Sequence, residues 1–138
     1  MADDTMLVEL VSLGNGKTLN SENFARVAEG IMMREKDSSN GFFKYLTTTK
    51  LRRIYGLIMN LYAQINVPED FAEHRGDLQY LKVKMAYEAG RERAVKDFLA
   101  ATNLMAAIDS VSDYDKFMLY CRYAESLVAY FKFYGGKE

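Results

Sequence analysis

Cysteine, histidine, proline and tryptophan are scarce or absent in this chain, and each shortage excludes a class of protein. The single cysteine, Cys121, excludes an internal disulfide and a thiolate metal cluster. The single histidine, His74, excludes a metal site built from several histidines. We therefore expect no metal and no other cofactor. One proline in 138 residues and no tryptophan suit a helix-rich chain with short connections.

Long apolar runs are also absent, because charged residues interrupt the hydrophobic stretches every few positions. No segment is therefore expected to span a bilayer. The start of the chain, Met1-Ala2-Asp3-Asp4, is acidic where a signal peptide is basic and then apolar. These features predict a soluble protein of the cytoplasm, with no membrane partner.

The net charge of −1 does not by itself predict a polyanionic partner, but the charges are unevenly distributed. Residues 44–96 contain ten Lys and Arg against six Asp and Glu, a net charge of +4. The segments before and after them have net charges of −3 and −2. Such asymmetry permits a basic face on a nearly neutral molecule.

The spacing of apolar residues predicts an all-α protein, a compact bundle of five to six helices. Five helices are expected: one from Asn20 or Ser21, one at about 49–65, one at about 69–89, one at about 92–108 and one from Ser112. Each has apolar residues at intervals of three and four, which lie on one face of an α-helix. Threonines 47–49 are candidates to cap the second helix, and Gly135-Gly136 supplies a left-handed stop after the last.

The domain boundary is expected between residues 19 and 20. Residues 20–138 are expected to form a single helical-bundle domain, and residues 1–19 an N-terminal extension whose structure the pattern leaves open. Within that extension, Leu7–Val11 suits either a short strand or a loose helix. A turn follows at Gly14-Asn15-Gly16.

Three patterns that look like catalytic motifs are interpreted as structural. Gly16-Lys17-Thr18 has the ending of a phosphate-binding loop, but the glycine required five residues before Gly16 is Val11, so we predict a surface turn. Cys121 lies on an apolar helix stripe, which predicts a buried thiol rather than a nucleophile paired with His74. Carboxylates at helix starts, such as Glu69 and Asp70, complement the helix dipole. No enzymatic activity is expected.

Two groups of basic residues are candidates for a binding function. Lys50, Arg52 and Arg53 open the second helix, where positive charge is unfavourable for the helix dipole unless a partner neutralises it. Gly56 lies on the same face as Arg52 and leaves room for a nucleic-acid backbone. The second group, with two interleaved tyrosines, is Lys82, Lys84, Arg91, Arg93 and Lys96, with Tyr80 and Tyr87. Cationic side chains neutralise phosphates and aromatic rings stack on unpaired bases, although we expect Tyr87 in the core.

Three sequence blocks resemble the small subunit of type III-A CRISPR (Csm) complexes. Residues 48–55 (TTKLRRIY), 81–91 (LKVKMAYEAGR) and 129–137 (AYFKFYGGK) are similar to three blocks of that family, in the same order and at the expected spacing. Lys50, Val83 and Phe131 depart from the glutamine, proline and histidine that are common there. None of these departures removes a basic residue from the candidate surface, and residues 1–19 lie outside the resemblance.

The resemblance implies a non-catalytic subunit that is present in several copies, stacked head to tail beside other Csm subunits. It also implies contact with the guide RNA and the target RNA through the phosphate backbone, independently of sequence. The candidate contact residues are Lys50, Arg52, Arg53, Lys82, Lys84, Arg91, Arg93 and Lys132. A helical protein–protein adaptor without a nucleic-acid role, in which these charges form a solvated face, explains the amphipathic helices equally well.

Overall fold

The computed structural model describes residues 11–14 and 16–138, and over them the chain forms a small hairpin followed by six α-helices. The all-α prediction is confirmed, since the only sheet in this part of the chain has two short strands. None of these helices combines the length and the apolar character that crossing a membrane requires.

The hairpin pairs strand β1 (Val11–Ser12) with strand β2 (Thr18–Leu19) in antiparallel register. The predicted surface turn between them is confirmed for its described residues: Gly14 and Gly16 both have φ of 84°, which glycine adopts without strain. Val11, at the end of the segment left open as strand or helix, is in a strand, and the rest of that segment lies outside the described residues. The side chains of Val11, Leu13 and Leu19 are buried in the same core as the helices. The boundary between residues 19 and 20 stays a prediction.

Helix α1 (Phe24–Asp37) begins later than its predicted cap at Asn20 or Ser21, which was wrong. The side chains of both asparagines in this segment accept backbone hydrogen bonds ahead of the helix. The side chain of Asn20 accepts from the amide of Glu22, and that of Asn23 accepts from the amide of Asn20, both at 2.8 Å. These bonds hold a turn from which α1 then starts.

Helix α2 (Thr48–Tyr62) has the cap predicted for it. After a 3₁₀ turn at Phe42–Lys44, Thr47 accepts a hydrogen bond from the amide of Lys50 at 3.2 Å. The helix buries Thr48, Leu51, Ile54, Ile58 and Leu61. Tyr62, in the last turn of α2, is exposed.

The helix predicted at about 69–89 is two helices, α3 (Pro68–Glu73) and α4 (Arg75–Arg91). His74 separates them, with φ of −111° and ψ of 15°. Nδ1 of His74 lies 2.7 Å from Oδ2 of Asp77, and this contact holds the break. Gly76 lowers the helix propensity of the same turn. The prediction of one continuous helix was wrong for this local reason.

The helix predicted at about 92–108 is also shorter, as α5 (Arg93–Thr102) followed by a separate 3₁₀ helix at Ala106–Ser110. Asn103 ends α5 in the left-handed conformation, with φ of 55°. The hydroxyl of Tyr123 donates to the carbonyl of Thr102 at 2.7 Å. This bond satisfies a carbonyl that a longer helix would use, so the end of α5 depends on a tertiary contact.

Helix α6 (Tyr114–Phe133) lies at the centre of the bundle and packs against α1 and α2. It is buried on more than one face, through Phe117, Leu119, Tyr120, Cys121, Tyr123, Ala124, Leu127 and Phe131. The predicted start at Ser112 was wrong by a small margin. Asp113 is the cap, because its carboxylate accepts from the amide of Lys116 at 2.9 Å.

The chain after α6 turns back onto the start of α2. Gly135, with φ of 88°, and Gly136 donate backbone hydrogen bonds to the last turn of α6 at 3.0 and 2.8 Å, which confirms the predicted left-handed stop. The carbonyl of Lys137 then accepts from the amide and the hydroxyl of Thr48, at 2.7 and 2.8 Å. These bonds tie the C-terminus to the surface that carries the first basic group.

Candidate nucleic-acid interface

The two basic groups, which are distant along the sequence, become neighbours because α2 packs against α4. Nζ of Lys50 lies 3.1 Å from Oε2 of Glu92, and Nη1 of Arg53 lies 3.5 Å from Oε1 of Glu88. Both ion pairs join α2 to the end of α4. We call the resulting set the α2–α4 charge cluster; it consists of Lys50, Arg53, Glu88, Arg91 and Glu92.

Glu88 is the centre of this cluster. Its Oε1 lies 3.7 Å from Nη1 of Arg91 as well as 3.5 Å from Nη1 of Arg53. The Glu88 side chain is only 13% exposed, whereas those of Arg53 and Arg91 are 44% and 50% exposed. Two guanidinium groups from separate helices therefore converge on one buried carboxylate while both still face solvent.

Arg93 extends the cluster towards α5. Its side chain is largely exposed, and its Nε lies 3.1 Å from Oδ1 of Asp97. Arg93 and Lys50 both line an open hollow of about 490 Å³, together with the exposed ring of Tyr45. This places the Arg93 guanidinium on the same side of the molecule as the start of α2.

Tyr80 and Tyr87 lie on the outer face of α4, so the prediction that Tyr87 belongs to the core was wrong. Tyr87 is 64% exposed. The guanidinium of Arg91 lies 5.5 Å from the centre of its ring, and Nζ of Lys84 lies 4.7 Å from that of Tyr80. The core face of α4 is formed instead by Leu78, Leu81 and Met85.

Lys82 points away from the α2–α4 charge cluster. It precedes Arg91 by nine residues, which puts it on the opposite side of an α-helix. Its amino group is held by both carboxylate oxygens of Asp109 in the 3₁₀ helix, at 2.8 and 2.9 Å. The structure therefore does not bring Lys82 together with the other candidate contact residues.

Arg52 and Lys132 lie near the C-terminus, on the other flank of α2. Nζ of Lys132 pairs with the carboxylate of Glu138 and lies 3.4 Å from Oγ1 of Thr48. The hydrogen bond from Lys132 lowers the pKa of Glu138, and the charges of Lys132 and Arg52 lower it further. Among the described residues, the exposed Arg52 side chain has no ion pair within 4 Å, which leaves its guanidinium available to a ligand.

The outer side of α2 is open at Gly56, as its sequence position suggested. A Cβ atom added there would meet no atom within 4 Å. The fold therefore does not need glycine at this position to make room for a neighbouring element. The space lies one helical turn beyond Arg52, on the same side of the helix.

The motifs interpreted as structural have structural roles. Cys121 is buried, and burial raises the pKa of its thiol far above the ordinary value, so it stays protonated. His74 contacts Asp77 rather than a nucleophile. Asp70 accepts from the backbone amides of Asn66 and Val67, at 2.9 and 3.4 Å, which caps α3.

Glu88 is the candidate site residue that the sequence reasoning missed. It lies three residues before Arg91, a spacing that places two helical side chains next to each other. That spacing signalled the contact with Arg91. The contact with Arg53 depends on how α4 packs against α2, and nothing in the sequence pattern predicts it.

Comparison with known proteins gives a consistent family. The family model described as Csm2 Type III-A matches residues 20–137. Curated relatives with the name CRISPR system Cms protein Csm2 occur in Streptococcus thermophilus, Enterococcus italicus and Mycobacterium tuberculosis. The S. thermophilus protein is 40% identical over 121 residues, 87% of this chain and 98% of that protein.

The other two relatives also match along nearly their whole length. The E. italicus protein is 38% identical over 137 residues, which is 92% of this chain and 97% of that protein. The M. tuberculosis protein is 35% identical over 124 residues, 85% of this chain and 95% of that protein. The three blocks that carried the resemblance all lie inside the matched range.

Proposed function

Because the chain belongs to the Csm2 family of type III-A CRISPR complexes, we propose that it is the non-catalytic, RNA-binding small subunit of such a complex. Several copies stack head to tail along the guide–target RNA in the cytoplasm, beside other Csm subunits, and contact its backbone independently of sequence. The observation that carries this proposal is the convergence of Arg53 and Arg91, from separate helices, on one solvent-facing surface beside Lys50.

The proposed contacts are electrostatic. A guanidinium group offers two parallel N–H donors to a phosphate, and it keeps its charge at every physiological pH. Contacts to phosphates position a protein on RNA but carry no sequence information. In an RNA-guided complex, base pairing with the guide reads the sequence. Arg52, Arg53, Arg91 and Arg93 therefore suit a subunit that senses backbone charge and shape.

The non-catalytic part of the proposal is supported by the environments of two reactive side chains. The thiol of Cys121 is buried and held in its protonated form, which is a poor nucleophile. The ring of His74 is hydrogen-bonded to Asp77 beside the α3–α4 break, whereas Cys121 lies on α6. Neither has the nucleophile and base arrangement that covalent catalysis requires.

The stacking part of the proposal is supported by two different apolar surfaces. One is a hollow of about 430 Å³ between α4 and α5, lined mainly by Ala86, Ala89, Leu99, Ala100 and Met105. The other is at the end of α6, where Phe133 is 73% exposed beside Tyr130 and Tyr134. A head-to-tail row needs two unlike surfaces on each copy, because the contact does not close on itself.

The test is a Csm complex rebuilt with a chain that carries Arg52→Ala and Arg53→Ala. We expect weaker retention of target RNA and a slope of log affinity against log salt that is shallower by about 1.5, as expected for two lost phosphate contacts. The loss is expected to be similar for two unrelated guide–target pairs. The matched control, Arg26→Ala with Arg122→Ala, removes two exposed arginines from α1 and α6. Retention and salt slope equal to those of the control would refute the contact assignment.

A helical adaptor without a nucleic-acid role is the second candidate, and one observation favours it. Most of the candidate cations are paired with carboxylates of the same chain, as in Lys82 with Asp109 and Arg93 with Asp97. Purifying the tagged chain from its native cell and sequencing the RNA bound to it separates the two functions. Short RNAs with a common repeat-derived 5′ tag would support the RNA-binding subunit, whereas a folded chain recovered without RNA would support the adaptor.

A further inference from the structure

The carboxylate of Glu88 has an unusual place for a charged group. It lies between Arg53 on α2 and Arg91 on α4, at 3.5 and 3.7 Å from one nitrogen of each. Over residues 11–14 and 16–138, its Oε1 is the only buried side-chain oxygen or nitrogen without a hydrogen bond. The carboxylate is therefore held by charge alone on this side.

Both distances are longer than a charge-assisted hydrogen bond, which spans about 2.7–2.9 Å. A buried carboxylate is costly unless it is both paired and hydrogen-bonded, so this arrangement satisfies Glu88 only in part. Over the part of the chain that the structure describes, the two arginines make no other ion pair or hydrogen bond, and 44% and 50% of their side-chain surface is exposed. A phosphate that reached them from solvent would offer shorter, bidentate bonds to the same groups.

We infer that Glu88 is a built-in counter-ion, which occupies the position between Arg53 and Arg91 in the free chain and competes with an RNA phosphate for them. This inference rests on the proposed function. It assigns Glu88 the role of setting how tightly each copy holds the RNA backbone. Glu92 is a different case, because its only ion pair with a described residue is with Lys50, at 3.1 Å, and it is more exposed.

The test is Glu88→Gln, which keeps the size of the side chain and removes its charge. In a rebuilt complex, we expect target RNA to be retained about twofold to thirtyfold more tightly. That range corresponds to the Coulomb repulsion between the Glu88 carboxylate and a phosphate about 8 Å away, calculated with dielectric constants from about 80 in bulk water to about 20 at a protein surface. The salt dependence should become steeper by up to about one unit of slope. Glu73→Gln on α3 is the matched control, with the same change of net charge at a residue outside the cluster.

A second background shows whether Glu88 acts through the arginines. In a chain that carries Arg53→Ala and Arg91→Ala, Glu88→Gln is expected to tighten RNA retention less than it does when both arginines are present. If the glutamine variant does not assemble, Glu88→Met replaces it in the assay, because methionine has a similar length and no charge. The same tightening of RNA retention is expected.

The outcomes separate the inference from the proposed function. If the arginine replacements weaken RNA retention but neither neutral variant of Glu88 tightens it, the inference is overturned and the proposed function stands. Weaker binding by both neutral variants would overturn it in the same way, because Glu88 would then orient the arginines for RNA. If the arginine replacements change nothing, the proposed function fails and the inference fails with it.

Discussion

Replacing Gly56 with alanine is expected to make the fold more stable and the RNA interface weaker. The position is inside α2, and no atom lies within 4 Å of the added methyl group. Alanine is favoured over glycine in a helix interior by about 1 kcal/mol. For a domain of this size, that gain raises the melting temperature by about 4 °C.

The loss of RNA affinity follows from the same open space. Arg52 precedes Gly56 by one helical turn, so a phosphate bound to Arg52 has the Gly56 backbone beside it. A methyl group that moves this phosphate from about 4 to about 5 Å from the guanidinium weakens their attraction by about 0.8 kcal/mol at an effective dielectric constant of about 20. The expected loss is therefore about fourfold for each copy of the chain.

The assay measures thermal unfolding of the isolated chain and target-RNA retention by the rebuilt complex. Gly30→Ala is the matched control, because Gly30 lies inside α1 and its added methyl group also meets no atom within 4 Å. We expect both variants to melt at a higher temperature and only Gly56→Ala to lose RNA. A lower melting temperature for Gly56→Ala would refute the statement that the space beside Gly56 is open. A higher melting temperature with unchanged RNA retention would refute the approach of RNA to this side of α2.

Two further predictions concern stability and are measured by urea unfolding. Burial raises the pKa of Cys121, Tyr120 and Tyr123. Their contribution to the free energy of unfolding is therefore fully present below the ordinary pKa of each group. It is lost as the pH rises, because these groups ionise in the unfolded chain at a lower pH than in the folded one. Between about pH 8 and pH 10, Cys121 accounts for about 1–2 kcal/mol of this loss, so Cys121→Ala should flatten the pH dependence; equal slopes would contradict the assignment. Gly136→Ala should lower the free energy of unfolding by about 1–3 kcal/mol, because its methyl group would overlap the ring of Phe131. A variant as stable as the parent chain would show that the C-terminal segment accommodates the methyl group beside Phe131 without loss of stability.

The fold could be predicted from the sequence wherever local signals determine it. The threonine cap of α2 and the glycine stop after α6 depend on neighbours along the chain, and both are confirmed. The end of α5 was missed because contacts with a distant part of the chain determine it. The hydroxyls of Tyr123 and Tyr120 donate to the carbonyls of Thr102 and Leu104, at 2.7 and 2.5 Å, and the two pairs are 21 and 16 positions apart in sequence.

The candidate site was predictable only in its composition. The sequence identified the arginines, but their convergence depends on how α2 packs against α4. Tyr87 is a different kind of error, since its position was visible in the pattern. It lies two helical turns from Tyr80, on the side opposite Leu81 and Met85, and both tyrosines are exposed. The prediction that Tyr87 lies in the core overlooked that geometry.

The pairing of basic with acidic side chains has a consequence for how such a subunit works. Six of the eight predicted contact residues lie within ion-pair distance of a carboxylate of the same chain. The chain therefore presents a nearly neutral surface, consistent with its net charge of −1. If copies stack along one RNA as proposed, weak contacts from successive copies add through effective concentration, and the row binds tightly although a single copy does not. Carboxylates such as Glu88 would then make RNA binding depend on assembly, because a lone chain gains too little from one or two phosphates to displace its own counter-ions.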